Sequence, residues 1–146
     1  MVVLKLWLLL LLGTLGGCTA EDSQFSARNG VMDITGVALD QGVIVKLDGQ
    51  WEFYWQQLYS PAQFAKAQLA PPAYIEVPVF WNAQKINGRK LPWNGFATYR
   101  LRVKTAVAQG RLALAIPDPN SAIKVWVNGR LVAQSGMPGA NKAAER

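Results

Sequence analysis

Few side chains in this chain could do covalent chemistry. Nine carboxylates, one thiol and no histidine are spread over 146 residues. Without histidine the chain lacks the commonest general base, the usual partner in nucleophile triads and the usual zinc ligand. The carboxylates are Asp33, Asp40, Asp48, Glu52, Glu76 and Asp118, with Glu21, Asp22 and Glu145 near the termini. A glycosidase would need two of them facing each other about 5 to 10 Å apart across a cleft. Asp48 belongs to an Asp-Gly turn, and Asp118 sits between two prolines. Glu52 and Glu76 fall in expected strands and could converge. Asp118 and Asn120 could hold Ca²⁺ with hard oxygen ligands, but turn formation by Asp and Asn is the simpler account. The expectation is a non-catalytic protein with no metal and no cofactor.

Binding chemistry has better material. Residues 80–97 read as one long loop rich in Asn, Gly and Trp, and loops of this length without their own structure are often functional. Trp81 and Trp93 would stack against the C–H side of a sugar ring. Asn82 and Asn94 would hydrogen-bond its hydroxyls, and Arg100 or Arg102 would hold an acidic group. The plainer account has the tryptophans packing over the end of the fold and the arginines forming a solvated basic face.

These residues must be positioned by strands. Residues 31–36 alternate loosely, as an edge strand does, and the β-branched run 43–47 reads as another. Asp48-Gly49 is a turn signal leading into residues 50–55. There Trp51, Phe53 and Trp55 share one face by period-two geometry and are expected to fill a core, with Glu52, Tyr54 and Gln56 pointing the other way. Ser60-Pro61-Ala62-Gln63 is a helix start with a capping box and Pro at the first helical position, and Pro71-Pro72 must end that helix. Residues 74–77 form a strand closed by Pro78. Residues 98–104 alternate, with Tyr99, Leu101 and Val103 on one face and Arg100, Arg102 and Lys104 on the other. Residues 112–116 are expected as a buried strand. Asn128-Gly129 between residues 123–127 and 130–134 is a hairpin signal.

The first residues belong to an address. Lys5, the apolar run 6–12 and the small residues up to Cys18 follow the plan of a secretory signal, and the run is too short to span a bilayer. Leu15-Gly16-Gly17-Cys18 resembles a bacterial lipobox, in which the thiol is acylated; two or three acyl chains would anchor the product to a membrane. Cleavage after Ala20 by the ordinary peptidase also fits. Cys18 is the only cysteine, so no disulfide forms within the mature domain. The formal charge of +6 suits anionic surfaces, and export argues against nucleic acid as a partner.

Taken together, residues 36–136 resemble the extracytoplasmic jelly-roll domain of bacterial seven-transmembrane receptors with diverse intracellular signalling modules. The resemblance rests on Leu47-Asp48-Gly49-Gln50-Trp51-Glu52-Phe53-Tyr54-Trp55, Ser60-Pro61 with Phe64, and Val77-Pro78 with Trp81-Asn82. It extends through Ala97-Thr98-Tyr99-Arg100-Leu101, Ile116-Pro117-Asp118 and Val127-Asn128-Gly129. The same skeleton is similar to the non-catalytic sugar-binding domain of family 2 glycoside hydrolases. Val79-Phe80 departs from the small residues usual after Val-Pro. The resemblance implies an all-β, galactose-binding-like antiparallel sandwich with one short helix, lacking its last strands. It divides the chain into a leader with lipobox (1–18), a tether (19–30), a truncated sandwich (31–136) and a polar tail (137–146). It also implies ligand sensing on the periplasmic side of the bacterial envelope, with a sugar or glycan as ligand. A stand-alone envelope lipoprotein and a detached hydrolase domain are the alternatives.

Overall fold

The computed structural model describes residues 25–66, 69–106, 112–117 and 121–140. The expected leader, Cys18, the first part of the tether, Ala67 and Gln68 of the helix, the turn at Gly110, Asp118 to Asn120 and the end of the tail lie outside the described residues. Within them the chain is all-β: short strands in several mostly antiparallel sheets, with one short α-helix. No helix among the described residues is long and apolar enough to cross a membrane.

The organising element is β2 (Gly49–Trp55), with β3 (Ala73–Val77) and β6 (Ala97–Arg100) antiparallel on its two sides. Trp51 stands opposite Ile75, and Phe53 stands opposite both Ala73 and Tyr99. As expected, Trp51, Phe53 and Trp55 face one way. Phe53 is 1% exposed, stacks on Trp55 with ring centroids 6.0 Å apart and meets the edge of Tyr99 at 5.0 Å. Burying one such ring contributes about 2 kcal/mol. Burial also pushes the Tyr99 phenol up to about 12. Trp51 leans on a second apolar cluster of Ala27, Met32 and Ile34, and its indole N–H donates to the Leu47 carbonyl at 2.8 Å.

The opposite face of β2 is also covered. Glu52 is 4% exposed, and Tyr54 beside it is buried. The helix α1 (Pro61–Ala65) lies over this side, bringing Phe64 edge-on to Tyr54 and Tyr59. Its Ser60–Gln63 capping box forms, the Ser60 backbone N–H donating to Gln63 Oε1 at 2.8 Å. At the other end Gly30 presses on Glu52. A Cβ on Gly30 would come within 2.4 Å of Glu52 Cγ, and its φ of +71° disfavours any other residue.

The N-terminal arm reaches past this contact. β1 (Val31–Asp33) pairs in parallel with β7 (Arg102–Lys104), so residues 98–104 are not one strand: the chain changes partner at Leu101. Leu101 packs on the Ala27, Met32 and Ile34 cluster, and the Arg102 N–H donates to the Gly30 carbonyl at 2.9 Å.

Two further expectations need correction. Residues 43–47 form no strand; Val45 and Leu47 pack on the cluster while Ile44 is exposed, because the segment has no ladder to join. Residues 112–116 are neither buried nor paired, and Leu112, Leu114 and Ile116 are exposed. Near them in sequence, β8 (Ile123–Val127) and β9 (Arg130–Ser135) form the expected Asn-Gly hairpin, with a bulge between Val125 and Trp126.

Candidate functional site

The loop after β3 is more structured than its composition suggests. β4 (Lys85–Ile86) and β5 (Arg89–Lys90) make a small antiparallel hairpin around Asn87 and Gly88, with φ of 50° and 76°. Positive φ at both central residues is the geometry of a type I′ turn, which Asn-Gly favours. Gln84 fastens this hairpin to the sheet. Its side-chain N–H group donates to the carbonyls of Glu76 (2.8 Å) and Val79 (3.1 Å), and its Oε1 accepts from the Glu76 N–H at 2.8 Å.

A second brace closes the loop across its base. The Trp81 indole N–H donates to the Pro92 carbonyl at 2.9 Å, and the Trp81 ring meets Trp55 edge-on with centroids 5.5 Å apart. The chain also runs close over Trp55 at Gly95, where a Cβ would come within 2.2 Å of the ring. Phe80 and Trp93 stand one residue outside the Trp81–Pro92 bond, 77% and 80% exposed. Asn82 and Asn94 are exposed beside them.

Arg100 and Arg102 are elsewhere. Their guanidinium groups each contact one oxygen of Glu52 at 3.2 Å, and the Tyr54 hydroxyl donates to Glu52 Oε2 at 3.0 Å. The Arg100 guanidinium also sits 4.7 Å over the Phe64 ring. Burial, and then the bond to Glu52, push the Tyr54 phenol above its ordinary value. A buried carboxylate left alone would be costly, and this set of donors satisfies it. Glu52 and Trp55 lie on opposite faces of β2 by strand parity. The six residues expected to share a site therefore divide. Trp81, Asn82, Trp93 and Asn94 stay together in the loop, whereas Arg100 and Arg102 serve an internal ion cluster on the other side of the sheet.

Glu76 lines a shallow polar cleft of about 340 Å³ with Ser26, Ala27, Arg28 and Gln50. Glu52, one diagonal away from it in the β2–β3 register, is not part of that lining.

No protein-family model matches this chain, and neither does any curated protein or solved structure.

Sequence reasoning missed Gln84, Lys85, Arg89 and Lys90. The signal was present: Ile86-Asn87-Gly88-Arg89 carries the same Asn-Gly hairpin mark as residues 127–130, in shorter flanks.

Proposed function

We propose that this chain is the non-catalytic ligand-sensing domain of a bacterial membrane signalling receptor, built on a jelly-roll sandwich outside the inner membrane. Its ligand is a carbohydrate, taken on the braced loop of residues 78–96. One observation carries this reading: Trp93 is 80% exposed at the end of a loop that Gln84 and Trp81 tie down at both sides. A preorganised aromatic face with exposed amides nearby suits a ring of C–H groups edged by hydroxyls, because little ordering is left to be done on binding. Trp81 supports the loop, its indole N–H bonded to the Pro92 carbonyl and its ring packed against Trp55. A lipid on Cys18 would hold the domain at the membrane.

The test is a titration of the full chain with oligosaccharides, followed by tryptophan fluorescence. A saccharide should shift the emission, and Trp93→Ala should weaken its binding about tenfold. If no saccharide perturbs the Trp93 signal, the carbohydrate reading is wrong.

A further inference from the structure

The charge pattern around the loop is one-sided. From residue 77 to residue 117 the chain holds seven Lys and Arg and no Asp or Glu. Arg100 and Arg102 share the carboxylate of Glu52, and Lys104 stands opposite Asp33 in the β1–β7 register. The three cations of the β4–β5 hairpin are different. Lys85, Arg89 and Lys90 are exposed, and among the described residues no carboxylate pairs with any of them.

Their arrangement is also unfavourable on its own. Lys85 and Lys90 are direct cross-strand partners. Like charges directly opposite on a ladder repel, with Cβ atoms about 5 Å apart. Places where a local pairing rule is broken without compensation inside the protein are where function tends to sit. An anion between the two ammonium groups would reverse the sign of this interaction. Two residues, Leu91 and Pro92, separate Lys90 from Trp93, so the three residue steps between them span at most about 11 Å.

We infer that the ligand of this loop is an acidic sugar, whose carboxylate or phosphate is held between Lys85 and Lys90 while its ring stacks on Trp93. This rests on the carbohydrate reading above and adds its charge class. It moves the acid-binding role from Arg100 and Arg102, which are occupied, to a lysine pair that is not.

The experiment compares matched probes on the full chain: trigalacturonate against its carboxyl-reduced galactose form, and glucose phosphate against glucose. An acidic member should bind more tightly than its neutral twin, and the preference should shrink as salt is raised. Lys85→Gln and Lys90→Gln should each reduce the acidic affinity about fivefold and leave the neutral one unchanged. Lys90→Glu should abolish the acidic preference and, with no ligand present, raise Tm by about 2 °C, because it turns repulsion into attraction. Equal binding of acidic and neutral probes overturns this inference and leaves the carbohydrate reading standing. Binding of none removes both. An acidic preference that survives the lysine substitutions, with only solubility falling, assigns Lys85 and Lys90 to guarding a strand edge and overturns the inference.

Discussion

β2 and the β8–β9 hairpin are written in similar residues, yet the molecule treats them differently. Both are rich in apolar and aromatic side chains. β2 has strands on both sides and cover on both faces, so even its acid is buried. The hairpin pairs only with itself among the described residues, and Trp126, Val127, Leu131 and Val132 are all exposed. Alternation decides which residues share a face. Neighbours decide whether that face leaves water.

The sharpest way to test this contrast is to truncate one large apolar residue in each region. Phe53→Ala should destabilise the protein by about 3 to 4 kcal/mol, because it opens a cavity among Trp55 and Tyr99. Leu131→Ala, at a position 53% exposed, should change stability by less than about 1 kcal/mol. Urea unfolding followed by circular dichroism gives both values, and comparable losses would mean that the hairpin is covered in solution.

The polar side of β2 comes next in size. Glu52→Gln keeps the shape but leaves Arg100 and Arg102 without their counter-charge. Both arginines are partly exposed, so the loss should be about 2 kcal/mol rather than that of a fully buried pair. A double-mutant cycle with Arg100→Met isolates the coupling, and a value near zero would remove the ion cluster from the account of β2.

Titration should separate the buried side from the surface with smaller effects. Tyr99 has a raised pKa, so the folded state keeps a proton that the unfolded chain gives up first. Its contribution is fully present below about pH 10 and is lost as pH rises toward about 12. Tm should fall across that window, and Tyr99→Phe should make that slope shallower and remove one late step of the phenolate absorbance titration, with Tyr54 keeping its own share. Asp33 shows the smallest effect and the opposite sign. Hydrogen bonds from the Thr35 hydroxyl and N–H hold its carboxyl below the usual value. That contribution is present above about pH 4 and is lost as pH falls. Asp33→Asn should flatten the acid limb of a Tm-against-pH curve while leaving the alkaline limb unchanged.

The same contrast explains what could be read from the residues alone. The Trp51, Phe53 and Trp55 face, the Ser60–Gln63 cap and the Asn128-Gly129 hairpin were all legible, since each is set by residues within a few positions. Residues 43–47 and 112–116 misled because a β-branched or apolar run signals a strand only when another strand stands beside it. That Trp81, Asn82, Trp93 and Asn94 share one loop was legible from their proximity in the chain. Arg100 and Arg102 were not, because the partner that holds them, Glu52, is about fifty positions upstream. Gln84 was invisible for a similar reason: its three bonds go to backbone atoms, which no residue type announces.

The parallel pairing of β1 with β7 gives the domain a mechanical property. Tension between the residue 25 side of β1 and the Lys104 side of β7 pulls these strands along their length. Every rung from Val31–Arg102 to Asp33–Lys104 is then loaded together rather than peeled in turn, and Gly30, wedged against Glu52, lies just before the first rung. Tension along that line therefore loads the arm in shear rather than by peeling.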